Sequence, residues 1–196
     1  MSMNVVFSAK LKIEKEYQPI ADKLYAQLYP NCEIETIDWD VSDENKRIQR
    51  LDIDRVIRTE DGRRLKISEK FRGKSNYELR DIFIEIYSNL DQKKPGWALE
   101  SEADELFYYK NNKVCITDSQ KFKKIAEEIK EKFDKIDFSI YRKNTTHRYP
   151  IHLKNQWRNG FILVSQPDGQ TWATVSYILP IRDLENLIPE TKILAI

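Results

Sequence analysis

The chain has 196 residues, of which 40% are hydrophobic and 33% charged, enough apolar material for the core of one elaborated domain. Its 33 basic and 32 acidic residues leave a formal charge of +1, which excludes polyanion attraction by the chain as a whole and leaves local patches as the means of recognising one. No apolar run approaches the ~20 residues of a membrane span, the opening Met1-Ser2-Met3-Asn4-Val5-Val6-Phe7 lacks the basic and apolar regions of a signal peptide, and Cys32 and Cys115 lack zinc-type spacing. A cytoplasmic protein with reduced thiols and no membrane partner is expected.

In chain order, residues 13–29 read as an amphipathic helix with Tyr17, Ile20, Leu24 and Leu28 at three- and four-residue spacing, ended by Pro30 and Asn31. Residues 33–44 are rich in acids. Two β-rich runs, 51–58 and 63–72, flank Thr59-Glu60-Asp61-Gly62, and Asp-Gly between such runs is a hairpin signal. Gly73-Lys74-Ser75 lacks the upstream glycine of a phosphate-binding loop. A strand at 81–87 follows, then a turn at 93–97 and two short strands, 106–109 and 113–116, joined at Asn111-Asn112. Residues 119–133 read as a helix capped by Asp118 or Ser119, with Phe122, Ile125, Ile129 and Phe133 on its buried stripe. Strands at 136–141, 160–165 and 172–179 and a short helix at 182–188 complete the reading. The sum is α+β or α/β: a central mixed sheet flanked by helices. One domain over 1–196 is expected, with a core over 14–135 and a C-terminal β-rich extension over 136–196.

The register of the hairpin decides which side chains meet. With a three-residue loop, Glu60-Asp61-Gly62, Thr59 pairs with Arg63, Asp54 falls opposite Ser68, and glycine stands where a bulged turn needs it. Faces alternate along each strand. Asp52, Asp54, Ser68 and Lys70 then line one side, while Ile53, Ile57, Leu65 and Ile67 fill the other. A two-residue loop, Asp61-Gly62, would instead set Asp54 against Glu69. The first register separates polar from apolar residues and is preferred; in it Glu69 either pairs with Arg55 or reaches a metal from the strand edge.

A carboxylate on one strand with a carboxylate-x-lysine triplet on the next suits metal-dependent phosphodiester hydrolysis. The arrangement of Asp54, Ser68-Glu69-Lys70 and the strand Asp81-Ile82-Phe83-Ile84-Glu85-Ile86-Tyr87 resembles the PD-(D/E)XK nuclease superfamily over roughly residues 14–110. The acid preceding x-Lys in that family is Ser68 here, and the resemblance then implies that a carboxylate further along, Glu85, replaces it. It implies a restriction-endonuclease-like core, Mg²⁺ or Mn²⁺ held by Asp54 and Glu85 with Glu69 in support, Lys70 orienting water, and DNA as substrate, in a phage, mobile-element or restriction setting. A homodimer is compatible with it. The alternative is a nuclease-fold module without catalysis that binds nucleic acid or protein, and serine at position 68 favours it. A third reading is a structural protein whose hairpin charges are simply exposed.

The stretch from Phe138 to Pro167 contains no acid but carries Arg142, Lys143, His147, Arg148, His152, Lys154 and Arg158. It is the expected nucleic-acid contact, with Tyr149 and Trp157 interleaved as possible stacking rings. The alternative is a solvated basic face neutralised by the acidic N-terminal region. His147 and His152 are five residues apart, which does not set both on one helical face for zinc. No nucleophile turn of the Gly-x-Ser-x-Gly type occurs.

Overall fold

The computed structural model describes residues 3–38, 41–72, 80–166 and 169–196, with side chains from residue 13 onward. The Gly73-Lys74-Ser75 loop lies outside the described residues. In chain order the elements are α1 (Met3–Leu28), β1 (Glu33–Thr36), α2 (Asp43–Arg50), β2 (Arg55–Arg58), β3 (Arg64–Arg72), β4 (Asp81–Asn89), β5 (Lys94–Pro95), α3 (Trp97–Glu100), β6 (Glu105–Lys110) and β7 (Lys113–Asp118). There follow α4 (Ser119–Phe133), β8 (Thr145–Leu153), β9 (Gln156–Ser165), β10 (Thr174–Pro180), α5 (Ile181–Leu187) and β11 (Lys192–Ala195). The fold is mixed α+β, and no described helix is long and apolar enough to cross a membrane.

The described residues form two compact units. The first comprises Asn4–Leu79, Ser101–Gln120 and Glu190–Ile196 and is built on a mixed sheet of order β1-β2-β3-β6-β7-β11, in which only β3 and β6 are parallel neighbours. The second, comprising Arg80–Glu100 and Lys121–Pro189, is built on an antiparallel sheet of order β5-β4-β10-β9-β8. The division at 135/136 expected from sequence is therefore redrawn: 80–100 belongs with 121–189, and 190–196 with the hairpin. Nor does β4 extend the β2–β3 hairpin, as its place in the chain suggested. The strand beside β3 is β6, and a parallel pairing requires a crossover of a dozen or more residues, which the chain between them supplies.

In the first unit, α1 sets Tyr17, Ala21, Leu24 and Tyr25 against Ile57, Ile67, Phe107, Tyr109, Val114 and Ile116. The buried stripe is thus rotated from the expected one. Ile20 (39% exposed) lies on its flank, and Leu28 (37% exposed) in the helix's last turn. The β2–β3 hairpin has the expected three-residue loop: Thr59 N donates to Arg63 O (3.0 Å), Gly62 N to Thr59 O (2.9 Å), and the ladder runs Arg58↔Arg64 to Arg55↔Ile67. Gly62 has φ +82°, a left-handed conformation that glycine adopts without steric cost. The first arm is shorter than its sequence suggested. Asp52 has φ +59°, so the strand begins at Arg55, and Ile53 joins Ile37, Val56 and Ala103 in a separate cluster instead of packing with Ile57 and Ile67.

In the second unit, Ile82, Ile84 and Ile86 are fully buried on one face of β4, as their alternation implied. The α4 helix has the expected span and buries Phe122, Ile125, Ile129 and Phe133, the last edge-on to Tyr149 (6.0 Å) and Tyr177 (6.1 Å). Residues 136–141 form no strand. A 3₁₀ turn occupies Phe138–Ile140, where Asp137 accepts a hydrogen bond from Ser139 N (2.9 Å). The acid-free segment instead contributes β8, unrecognised in the sequence, which pairs with β9 across a Lys154-Asn155 turn with φ +45° and +63°. Positive φ at both turn residues matches the right-handed twist of a tight hairpin. Inside the hairpin a Cβ on Gly160 would lie 2.3 Å from the Tyr177 ring and 2.6 Å from Ile178 O. Gly160→Ala is accordingly expected to cost at least the ~1–3 kcal/mol of core overpacking, read as a lower urea midpoint; an unchanged midpoint would mean that β9 and β10 separate more readily than their packing implies.

Candidate functional site

Four side chains of the first unit converge on one face of the β2–β3 hairpin. Two come from β3, where the period-two alternation sends Ser68 and Lys70 to the same side. The other two precede β2: the left-handed turn at Asp52 brings its carboxylate back toward β3, and Asp54 stands in register opposite Ser68. Ser68, fully buried, donates from Oγ to Asp52 Oδ2 (2.6 Å). The Lys70 ammonium donates to Asp52 Oδ1 and lies 3.9 Å from Asp54 Oδ2. Asp54 Oδ2 also accepts a hydrogen bond from Glu69 N (2.7 Å).

One ammonium thus faces two carboxylates. Burial pushes the Asp54 carboxyl up to about 7, and the neighbouring Asp52 carboxylate adds to the rise against the opposing pull of Lys70 and of Glu69 N–H. Part of Asp54 stays open to solvent, its side chain being 30% exposed. A cation at this accessible edge would relieve the repulsion between the two carboxylates.

Glu69 points the other way. Of the two roles left open for it, the ion pair holds: Arg55 Nε donates to Glu69 Oε2 (3.0 Å) with the side chains 2% and 6% exposed. Tyr25 of α1 donates its hydroxyl to Glu69 Oε1 (2.8 Å), and the Arg55 guanidinium lies 5.1 Å from the Tyr25 ring centroid. Asp22 accepts a further bond from Arg55. This network ties α1 to the back of the hairpin whose front carries Asp54 and Lys70. It supports the site and contributes no metal ligand.

Glu85 is not brought beside Asp54 by either sheet. It lies on β4 in the second unit, paired with Ser176 of β10, and its Oε1 accepts from Trp97 N (3.4 Å). The apolar alternation around Glu85 was legible, but strand order was not. The acid that the sequence reading left out of the ligand set is Asp52, and its signal was the Asp52-x-Asp54 spacing. Among the described residues no group of three or more His, Cys, Asp or Glu is arranged to hold a metal. The donors that do converge are two carboxylates and one hydroxyl. That set fits Mg²⁺, which is commonly held by one or two protein carboxylates and completes its octahedron with water and substrate phosphate.

The basic residues of the second unit divide. Arg158 is a structural residue, 8% exposed. It sits on the inward parity of β9, donates to Asp183 of α5 (3.3 Å) and to Gln156 (2.6 Å), and so leaves the expected phosphate-binding set. Lys154 donates from Nζ to Leu187 O (2.7 Å), closing the end of α5. Lys143 bonds the Gln166 side chain, and His147 Nε2 lies 3.1 Å from Arg142 O. Arg148 is exposed on the outward parity of β8, and its Nη2 donates to Asn159 Oδ1 (3.3 Å). Tyr149 does not join Trp157, because the two side chains fall on opposite faces of the hairpin; Tyr149 packs on Phe133. Comparison with protein-family models, curated proteins and solved structures found no match to this chain.

Proposed function

We propose that the protein is a divalent-metal-dependent nuclease acting on DNA, with Asp52 and Asp54 as the metal-holding carboxylates and Lys70 as the working cation. The observation that carries this reading is the convergence of two carboxylates, a buried hydroxyl and an ammonium on one face of the hairpin, with an open edge at Asp54. Mg²⁺ or Mn²⁺, when bound, supplies a Lewis acid for the phosphoryl oxygen and acidifies a bound water. The residues of the chain do the positioning. Ser68 Oγ and Lys70 hold the Asp52 carboxylate, one on each oxygen, and Glu69 N–H fixes Asp54 through Oδ2. Lys70, held by Asp52, orients water or offsets charge that develops on the phosphate.

A second reading is favoured by a specific feature: Ser68 replaces the expected acid and Lys70 is already paired with Asp52. In it the hairpin is a non-catalytic nucleic-acid-binding module. Cleavage of plasmid and oligonucleotide DNA separates the two. The nuclease reading expects Mg²⁺- or Mn²⁺-dependent cleavage that stops with chelator and is abolished in Asp54→Asn, with no loss of Tm, since the amide oxygen still accepts Glu69 N–H. DNA binding without cleavage in any divalent metal would establish the second reading instead, and full activity in Asp54→Asn would remove the centre altogether.

A further inference from the structure

We infer that the outer face of the β8–β9 hairpin is a stacking platform for single-stranded nucleic acid. Alternation sets Arg148, Pro150 and His152 of β8 and Trp157, Asn159 and Phe161 of β9 on this face, and all six are exposed. Large aromatic side chains are ordinarily buried, yet Trp157 is 71% and Phe161 41% exposed. They lie four residues apart on one strand, about 13 Å at the usual strand rise.

Their cross-strand neighbours point to the occupant. Trp157 is paired with His152, the rings edge to face at 5.5 Å, and Phe161 with Arg148. The whole segment from Phe138 to Pro167 contains no acid. On this face the next strand, β10, sets Ser176 and Ile178 opposite Leu163 and Phe161; among the described strand residues of this face, acids return with Asp81 and Glu85 of β4 beyond it. An apolar protein partner would not need this charge pattern. Exposed rings interleaved with a guanidinium and an imidazole, on two strands free of acids, match a chain of bases with a phosphate backbone, because every base has a π-face and every linkage a negative charge. Duplex bases are already stacked on one another, so the platform selects unpaired strands.

The inference rests on residues of the second unit alone and does not depend on cleavage at Asp54. The test is fluorescence anisotropy with a labelled oligothymidylate, an abasic strand of equal length and the corresponding duplex, all in chelator. The parent protein should bind oligothymidylate at least tenfold more tightly than the abasic strand or the duplex. Trp157→Ala and Phe161→Ala should each weaken oligothymidylate binding roughly tenfold, within the range for loss of one base stack, without lowering Tm. Arg148→Ala should reduce the salt dependence by about 0.7 log units per log salt, as for one single-strand phosphate contact. Chelator removes any divalent metal from the assay, so failure of the nuclease reading leaves this result standing. Equal affinity for the abasic strand, or unchanged binding by Trp157→Ala and Phe161→Ala, overturns the inference. So does a light-scattering dimer that Trp157→Ala converts to monomer while oligothymidylate binding is unaltered, since the face would then serve self-association.

Discussion

Replacing Arg55 by alanine is expected to destabilise the first unit by about 3–5 kcal/mol, the range for breaking a buried ion pair by removing one partner. The change is polar, yet its cost arises from burial. Glu69, 6% exposed, has its carboxyl pushed up by burial even with Arg55 beside it. Without the guanidinium, Glu69 retains the Tyr25 hydroxyl but loses its counter-charge. The bond from Arg55 to Asp22 matters less, because Asp22 is 61% exposed and can turn to water. Urea denaturation checks the magnitude, and pH checks the cause. In Arg55→Ala the folded-state pKa of Glu69 rises further above its unfolded value, so the variant should be least impaired at low pH and lose stability as pH climbs through that raised pKa. Arg55→Met with Glu69→Leu and Tyr25→Phe, which leaves none of the three polar groups orphaned, should recover most of the loss. A cost below ~1 kcal/mol for Arg55→Ala would show that helix and hairpin are held by their apolar contacts alone.

Ser68→Asp is expected to make stability depend on metal. The serine is fully buried and donates to Asp52; aspartate would remove that donor and place a third carboxylate beside Asp52 and Asp54. In chelator, an added buried charge without a partner should cost about 3 kcal/mol or more. Mg²⁺ or Mn²⁺ at one hundred times its dissociation constant would return about 2.7 kcal/mol. Thermal denaturation should therefore show a large metal-induced rise in Tm for Ser68→Asp and a smaller one for the parent. If neither protein responds to either ion, the Asp52–Asp54 face is not a metal site, and the binding-module reading of the hairpin is the one to keep.

How much was legible in the chain followed from how local the controlling interaction was. Of the two turns the sequence permitted, Glu60-Asp61-Gly62 was preferred because it puts glycine where positive φ is needed, and the structure has that turn. Phe122, Ile125, Ile129 and Phe133 announced the α4 helix by their spacing, and Ile82, Ile84 and Ile86 the buried face of β4. Side-chain periodicity is a property of adjacent residues, so sequence alone determined it, and turn chemistry narrowed the hairpin to two registers. What depended on distant partners was not legible. The β8 strand is largely polar and shows its place only when paired with β9. Arg158 read as a phosphate contact until the parity of β9 turned it inward onto Asp183. The neighbour of β3 was decided by a parallel crossover to β6, and with it the assignment of Glu85 to the other sheet. Asp52 was read on the face of Asp54, Ser68 and Lys70, but as part of a regular strand; the left-handed residue that ends the strand at Arg55 and still returns its carboxylate to Ser68 and Lys70 was not legible. Strand order and backbone reversals are selected by the burial of whole faces and the pairing of backbone groups far apart in sequence, and only the tertiary structure contains those contacts.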